Sequence, residues 1–369
     1  MMIKKENNLA KVFIPIIVFF LGCGAMYAVI AAFPSLFSTN VTKLEKNVTV
    51  TDTGIAEAVE KVYDAVVIVS TYKDNKLYST GTGFVFKEED KKAFIITNNH
   101  VIESGSKVTV TFTNGKVVET SVVGKDTLSD IAVLSVDNNE IISIAKLGSS
   151  EQARVGDTAF AVGAPLDSVY SWTVTRGIIS GKDRMVEVEL SSTSGDYVMK
   201  VLQTDAAINS GNSGGPLCNA NGEVIGVASL KLVDESVEGM GFAIPIEVAI
   251  EYAEKLMDGE VIVQPYLGVS MINVTDAYYY PQYYKNLSEY DITSGVIVYN
   301  VEEKSPAAKA GLKSGDVIVK INDEDVVSVG YLRYYLYNYN VGDKITITYL
   351  RSGETKTTSV TLGSNEKMY

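Results

Sequence analysis

Residues 207–217 read AINSGNSGGPL, so three glycines and a proline stand close around Ser213. Glycine weakens regular helices and strands, and this density predicts a backbone held in a special conformation. A tight turn fits the pattern, and so does a loop whose N–H groups converge on an anion. A serine at the centre of such a loop is a candidate nucleophile, provided that the chain supplies a base and an acid.

The base and the acid have one candidate each that stands out. His100, in FIITNNHVI, is the only histidine of the chain, so any histidine-dependent chemistry must use it. Asp130, in SDIAVLSV, leads directly into an apolar run that reads as an alternating strand. Asp126 and Asp137 are weaker candidates for the acid, because neither immediately precedes such a run.

Each of these residues also has a purely structural interpretation. A lone histidine is commonly structural, glycine-flanked serines occur in ordinary turns, and an aspartate before a strand is a common turn residue. Together, however, the order His100, Asp130, Ser213 is a known chain order of a Ser-His-Asp triad. The three residues therefore predict nucleophilic catalysis by serine.

The chemistry explains why those residue types are needed. A serine hydroxyl is a weak nucleophile at neutral pH and needs a base to take its proton. Neutral His100 can take it, and Asp130 can hold the imidazole and stabilise the imidazolium. The oxyanion formed by attack on a carbonyl needs N–H donors, and we expect those of Gly211 and Ser213 to supply them.

Composition and charge exclude some classes of function. The chain has 369 residues, enough for two or three domains, and a formal net charge of −13. That charge argues against nucleic acid as a partner, because phosphate binding needs basic patches. We expect neither a metal nor another cofactor.

The N-terminus predicts a membrane anchor. Lys4, Lys5 and Lys11 precede a run without charge from Val12 to Phe37, and about 20 apolar residues are enough to cross a bilayer. The lysines predict a cytoplasmic N-terminus and an extracytoplasmic remainder, at a cell surface or in a periplasm. A cleaved signal peptide is the alternative.

Short apolar strands separated by Gly/Asn/Asp/Ser turns predict a mainly β protein. Residues 1–37 form the predicted stub and anchor, 38–54 a linker, 55–260 a β-rich domain closed by a helix that begins near Pro245, and 261–365 a smaller α+β domain. Inside the last lies the tyrosine-rich segment 276–290. It is either a packed or solvated loop or an aromatic contact surface for partners, and we favour the loop.

The motifs TNNHVI, SDIAVL, QTDAAINSGNSGGPL, GMGFAIP, YLGV and SPAAKAGLKSGDVIVKIN resemble those of the HtrA (Do-type, DegP/DegS-like) serine proteases. The resemblance implies a double β-barrel trypsin-like domain with His100, Asp130 and Ser213 as its triad. It also implies a C-terminal PDZ domain, a homotrimer, and misfolded or signalling proteins as substrates in protein quality control and stress response. In the PDZ domain, Tyr266, Leu267, Gly268 and Val269 would form the loop that captures the C-terminal carboxylate of a peptide.

Two features refine this expectation. Asn212 stands where pancreatic relatives have an aspartate that pairs with a new N-terminus, so activation here should come from ordering loops such as Lys182–Lys200 and Leu230–Gly239. A specificity pocket lined by Ile208, Val227, Ala228 and Ser229 contains no acid, so we expect cleavage after small aliphatic residues rather than after Lys or Arg.

Two rival functions remain open at this stage. The chain could be a peptide-binding chaperone or scaffold with a vestigial protease site, although the complete triad and glycine loop weigh against this. It could also be a non-peptidic esterase, which would use the same nucleophile but gain nothing from a peptide-capturing domain.

Overall fold

The computed structural model describes residues 9–32, 52–163, 172–189, 196–230, 239–282, 287 and 289–364. The chain divides into two compact units, Met1–Val50 and Thr51–Tyr369. The first contains helix α1, Leu9–Ala32. No helix within the described ranges meets the length and hydropathy expected of a membrane span. Most of the predicted linker, residues 38–51, lies outside the described residues.

The second unit begins with helix α2, Asp52–Tyr63, and continues as a seven-stranded antiparallel sheet of order β5-β4-β1-β2-β3-β7-β6. Its strands are β1 Val66–Lys73, β2 Lys76–Glu89, β3 Lys92–Asn98, β4 Lys107–Thr111, β5 Val117–Glu119, β6 Ser121–Asp126 and β7 Ile131–Asp137. The two end strands, β5 and β6, follow each other in the chain with only Thr120 between them.

The next six strands form a closed barrel of order β10-β13-β12-β11-β8-β9. They are β8 Thr158–Gly163, β9 Thr173–Glu189, β10 Asp196–Thr204, β11 Pro216–Asn219, β12 Val224–Ala228 and β13 Gly241–Pro245. The mainly β expectation is confirmed. The predicted loop 182–200 is largely a hairpin of β9 and β10, and its tip, residues 190–195, lies outside the described residues.

Strand β7, which follows Asp130, does not alternate between buried and exposed positions as its sequence suggests. Ile131 and Val133 pack into one hydrophobic cluster, and Ala132 and Leu134 pack into another. Both faces of this strand are covered because it lies inside the sheet, between β3 and β6. Asp130 therefore enters the centre of the fold rather than a surface strand.

Two helices complete this part of the chain. The four-residue helix α3, Asn99–Ile102, follows β3 directly. Helix α4, Ile246–Met257, occupies the helical segment predicted after Pro245 and buries Ile246, Ala249, Ala253 and Leu256. It packs against β6, β7 and β12. Helix α4 therefore joins the open sheet to the barrel.

The C-terminal region is a smaller α+β fold. Its strands are β14 Pro265–Tyr266, β15 Val269–Asn273, β16 Val296–Val301, β17 Val317–Ile321, β18 Glu324–Asp325, β19 Lys344–Arg351, β20 Glu354–Thr361 and β21 Gly363–Ser364. Its helices are α5, Pro306–Lys309, and α6, Val329–Leu336. The main sheet has the order β15-β16-β17-β19-β20, so β15 is an edge strand, and β14 pairs with β21.

The tyrosine-rich segment packs through its apolar residues. A 3₁₀ helix, Val274–Tyr279, buries Val274 and Ala277. Together with Leu287, these side chains form a small cluster with Ile297 of β16. Tyr278 and Tyr279 are exposed. Among the described residues of this segment, Ala277 and Leu287 are packed, and Tyr278 and Tyr279 present their rings to solvent.

Helix α6 of the C-terminal region lies against β10 of the barrel. The rings of Tyr337, at the end of α6, and Tyr197, on β10, have centroids 5.7 Å apart. The Ser328 hydroxyl at the start of α6 donates to Glu187 Oε1 at 3.2 Å. Tyr337 packs against the core of the C-terminal region and also against the core that contains Tyr197.

Candidate active site

The glycines around Ser213 are required by close approaches of backbone to backbone. Gly214 has φ of +82°, and a Cβ there would lie 2.3 Å from the carbonyl oxygen of Thr82 and 2.4 Å from Thr97 Oγ1. Gly211 has φ of +104°. Side chains at either position would be strained, so only glycine lets this loop lie against β2 and β3.

Asn212 and Thr82 hold the loop in place. The Asn212 side chain accepts from the Asn209 N–H at 3.0 Å and donates to the Ala207 carbonyl at 3.0 Å. The Thr82 hydroxyl donates to the Gly211 carbonyl at 2.6 Å. The backbone N–H of Thr82 donates to the Ser213 carbonyl at 2.9 Å. Asn212 is buried, so its neutral amide fills the position without an ion pair.

His100 sits on the single turn of helix α3, directly after β3. Val101 and Ile102 anchor that turn because both are buried. The Thr71 hydroxyl donates to the Val101 carbonyl at 2.9 Å. The His100 side chain is half-buried, with 26% of its surface exposed, so its ring stays accessible on one side.

The structure brings Asp130 directly against His100. Asp130 is 1% exposed. The His100 Nδ1 lies 2.8 Å from Asp130 Oδ2 and 3.0 Å from Oδ1, and the His100 backbone N–H donates to Oδ1 at 3.0 Å. A carboxylate on Nδ1 leaves Nε2 as the free ring nitrogen, which is the tautomer that a general base requires.

Ser229 has a role that the sequence did not suggest. It was predicted to line the specificity pocket, whereas its buried hydroxyl donates to Asp130 Oδ2 at 2.9 Å. Asp130 thus receives the His100 ring and the Ser229 hydroxyl on one carboxylate. Ser229 and Asp130 are 99 positions apart in sequence, so only the tertiary fold reveals their contact.

Ser213 lies in the same region but is turned toward another partner. Its Oγ accepts a hydrogen bond from the Leu230 backbone N–H at 3.0 Å. Within the described part of the chain, no hydrogen bond joins Ser213 to His100. The site therefore contains an aligned His-Asp pair and a serine whose hydroxyl accepts from Leu230, two residues after the end of β12.

The two N–H groups expected to form the oxyanion hole are available. Neither Gly211 nor Ser213 donates its backbone N–H to any acceptor among the described residues. The carbonyl of Gly211 is held by Thr82 on the far side. An incoming anion could therefore take both N–H groups without breaking an existing hydrogen bond.

The four predicted pocket residues do not line a single surface. Ile208 and Ala228 pack in one cluster, and a Cβ added at Gly241 would lie 2.5 Å from Ile208 Cγ1. Val227 packs in a different cluster with Phe160. The reason is strand geometry, since neighbouring residues of β12 point to opposite faces.

In the C-terminal region, the predicted carboxylate loop has free donors. Gly268 has φ of +78°, and a Cβ there would lie 2.2 Å from Ser305 Cβ. The Leu267 carbonyl accepts from the Ala307 N–H at 2.9 Å, and the Gly268 carbonyl accepts from the Glu302 N–H at 3.0 Å. The N–H groups of Leu267 and Gly268 themselves donate to no described acceptor.

This fold and this site together define a trypsin-like serine protease followed by a peptide-binding domain. Two family models agree with that class: a trypsin-like peptidase domain matches residues 81–227, and a PDZ domain matches residues 265–362.

Curated relatives identify the family. The chain is 43% identical over 327 residues to the Serine protease Do-like HtrB of Bacillus subtilis, covering 84% of this chain and 70% of that protein. It is 35% identical to the Serine protease Do-like HtrA of Lactococcus lactis subsp. cremoris, covering 89% of this chain and 86% of that protein. The chain belongs to the HtrA, or Do-like, family of serine proteases, and it is a serine endopeptidase.

Solved structures give the same result. The serine endoprotease from Yersinia pestis is 31% identical with a TM-score of 0.63, over 84% of this chain and 97% of that one. The HtrA-type protease AlgW with decapeptide is 27% identical with a TM-score of 0.65, over 84% of this chain and 98% of that one. The resemblance stated from the motifs is thereby confirmed.

Proposed function

We propose that this endopeptidase cleaves proteins by a Ser-His-Asp acyl-enzyme mechanism. The observation that carries the proposal is the 2.8 Å contact between His100 Nδ1 and the buried Asp130 carboxylate. Ser213 Oγ attacks the scissile carbonyl carbon while His100 Nε2 takes the hydroxyl proton. The Gly211 and Ser213 N–H groups bind the oxyanion, and His100 then gives the proton to the leaving amine.

Deacylation repeats these steps with water. His100 takes a proton from the water molecule that attacks the acyl-Ser213 ester, and the second tetrahedral intermediate collapses to release the acid product. His100 returns the proton to Ser213 Oγ, which restores the free enzyme. Asp130 keeps the ring oriented and stabilises the imidazolium in both halves of the cycle.

The direct test is labelling by a fluorophosphonate, which reacts with an activated serine. The full-length chain should be labelled at Ser213, and Ser213→Ala should lose both labelling and peptide hydrolysis. In another serine protease, loss of the serine nucleophile costs roughly a millionfold in rate. Ser210→Ala, one turn away in the same loop, serves as the control and should keep both activities. Absence of labelling in the unaltered chain, with or without a peptide ligand, would contradict the proposed mechanism.

We infer that the enzyme is regulated through its PDZ domain. Ser213 Oγ accepts from the Leu230 N–H and makes no hydrogen bond to His100 among the described residues, so transfer of its proton to His100 requires the two side chains to move closer. Helix α6, beside the edge strand that would take the peptide, packs on β10, whose hairpin includes the predicted activating segment. Residues 231–238 of the second predicted segment lie outside the described residues. A peptide with a free C-terminus should therefore raise the labelling rate of Ser213.

The peptide would add as a strand beside β15, with its carboxylate on the N–H groups of Leu267 and Gly268. On the protease side, Ile208 and Ala228 are apolar residues of one hydrophobic cluster. Substrates with Val or Ala before the scissile bond should be cleaved faster than substrates with Lys or Arg, because no acidic side chain is expected there. A matched set of fluorogenic peptides that differ only at this position would measure the preference.

We also propose that residues 1–37 anchor the protein in a membrane, with the protease and PDZ domains outside the cytoplasm. The support is the charge-free run from Val12 to Phe37 after Lys4, Lys5 and Lys11. Carbonate-resistant retention in the membrane fraction would support an anchor, and release of a shortened chain would indicate a cleaved signal peptide.

Substrates of an enzyme outside the cytoplasm would be misfolded or signalling proteins of that compartment, in quality control or stress response. A homotrimer remains a proposal from the family, to be measured by light scattering.

A further inference from the structure

The carboxylate of Asp126 closes the turn that leads to Asp130. Asp126 is the last residue of β6, and its register partner on β7 is Ile131. Its Oδ2 accepts the Ser129 backbone N–H at 2.7 Å. A short bond from a carboxylate to a backbone N–H is charge-assisted and stronger than a neutral one. The turn from β6 to β7 is thus closed by a side chain as well as by the strand pairing.

The turn needs that closure because Asp130 has an unfavourable backbone conformation. Its φ is +55°, in the left-handed region that residues with a Cβ avoid. The Asp130 carbonyl accepts from the Asn99 N–H at 3.0 Å and from Asn98 Nδ2 at 2.9 Å, which fixes it from the side of helix α3. The Asp126–Ser129 bond holds the preceding residue, Ser129, from the side of β6.

Asp126 is half-buried. Burial raises the pKa of its carboxyl, an effect that the N–H groups of Ser129 and Leu128 oppose. Tyr197 on β10 and Tyr252 on α4 lie close enough to interact electrostatically with it. In this half-buried position, water competes less for the carboxylate than it would at an exposed one, which strengthens the bond to the Ser129 N–H.

We propose that Asp126 is a positioning residue of the active site, whose carboxylate fixes the backbone from which Asp130 reaches His100. The inference rests on the proposed roles of His100 and Asp130. It assigns to Asp126 a geometric role, as an acceptor at one defined place, rather than a role as a second negative charge near the imidazole.

Two substitutions separate these roles. Asp126→Asn keeps an acceptor oxygen of the same reach and loses the charge. Asp126→Glu keeps the charge and displaces the acceptor by one methylene. Asp126→Ala loses both. Asp137→Asn is the matched control, because Asp137 ends β7 in an exposed pair with Lys92 at 2.8 Å.

The rate of Ser213 labelling by a fluorophosphonate is the first readout, measured on the full-length chain. A displacement of about 1 Å at a catalytic group can cost roughly 100-fold. We expect about that loss for Asp126→Ala, an intermediate loss for Asp126→Glu, and a rate close to that of the unaltered chain for Asp126→Asn and Asp137→Asn.

The second readout is the low-field proton resonance of the imidazole Nδ1–H that is bonded to Asp130. His100 is the only histidine, so the resonance needs no assignment. It should broaden or move upfield in Asp126→Ala and Asp126→Glu and stay in place in Asp126→Asn. A merely structural role would lower the melting temperature without moving this resonance in the folded protein.

The outcomes discriminate cleanly. A folded Asp126→Glu with unchanged labelling and an unchanged resonance would overturn the positioning role, and the opposite order, with Asn slower than Glu, would indicate a charge effect instead. If Asp126→Ala fails to fold, Asp126→Asn and Asp126→Glu still distinguish the positioning role from a charge effect. If the unaltered chain is not labelled at all, the proposed mechanism fails, while the resonance still reports whether Asp126 positions Asp130.

Discussion

At the scale of single residues, the Ser213 loop is held by a neutral amide. Asn212 bonds to Asn209 and to Ala207 and thereby closes the loop on itself. Because these bonds are internal, the loop does not need a new chain terminus to be held together. The proposed regulation would therefore act on groups around the loop, such as the Leu230 N–H that donates to Ser213 Oγ.

Asn212→Asp tests this arrangement. The substitution places a carboxylate oxygen where Nδ2 now meets the Ala207 carbonyl at 3.0 Å, so a donor is replaced by a buried repulsion. We expect a loss of about 1–3 kcal/mol in the free energy of unfolding, together with slower labelling of Ser213. The loss should shrink at low pH, because a protonated aspartate can donate to that carbonyl. Chemical denaturation at two pH values measures it, with the exposed Asn340→Asp as the control.

Glu223 provides a second test at this scale. Hydrogen bonds from Asn219 and Lys146 lower the pKa of its carboxyl to about 2 from an ordinary 4.5. A lowered pKa stabilises the fold above pH 4.5, and this stabilisation disappears as pH falls through about 2. Glu223→Gln should therefore melt at a lower temperature than the unaltered chain at pH 7, and the difference should vanish near pH 2. Glu354→Gln, at an exposed position, should show no such convergence.

At the scale of elements, strand geometry decides what each residue of a motif can do. Val227 and Ala228 are neighbours on β12 and pack into different clusters. Ser229 follows them and bonds Asp130. A motif read as a row of pocket residues is therefore divided between two hydrophobic clusters and a hydrogen bond to Asp130.

The carboxylate loop before β15 gives a prediction at this scale. Gly268→Ala would bring a methyl group within 2.2 Å of Ser305 Cβ and should abolish binding of peptides with a free C-terminus. Gly311→Ala is the matched control, since Gly311 also has positive φ, +83°, but has no neighbour within 4 Å of the new atom. Fluorescence anisotropy with a labelled peptide measures both. Equal loss in the two variants would attribute the effect to backbone strain alone.

Much of this architecture is predictable from sequence, because helices and strands are encoded by local patterns of residues. The helix after Pro245 and the buried strands follow from periodicity and turn residues. Asp130 contacts two residues that are far from it in the chain. The order of the motifs suggests its contact with His100, but no local pattern indicates its contact with Ser229. The burial of both faces of β7 was also missed, because the residues of one strand cannot show that sheets and helices cover it on both sides.

At the scale of the whole molecule, the PDZ domain is attached by more than its linker. Helix α6 packs on β10, and Tyr337 belongs to the hydrophobic cores on both sides of the contact. Tyr337 therefore lies in contact with both cores. Under the proposed regulation, this side chain would give peptide binding a physical route to the barrel.

A double-mutant cycle on Tyr197 and Tyr337 tests the contact. Their rings are 5.7 Å apart, and aromatic pairs of this kind are worth about 0.5–1.5 kcal/mol beyond area burial. We expect a coupling of that order when Tyr197→Leu and Tyr337→Leu are combined, from the free energy of unfolding. Tyr197→Leu combined with Tyr335→Leu should be additive, because Tyr335 stacks with Tyr331 and Tyr334 instead.

The edge strand β15 has a cost as well as a use. An unpaired row of N–H and C=O groups that accepts a peptide also accepts a strand from any neighbouring molecule, which is the first step of aggregation. The pairing of β15 with β16 shifts register between Ser270 and Met271, and such a bulge twists an edge away from flat stacking. The irregularity in this edge strand is therefore also a safeguard, and it matters most for a protease whose work would bring it among unfolded chains.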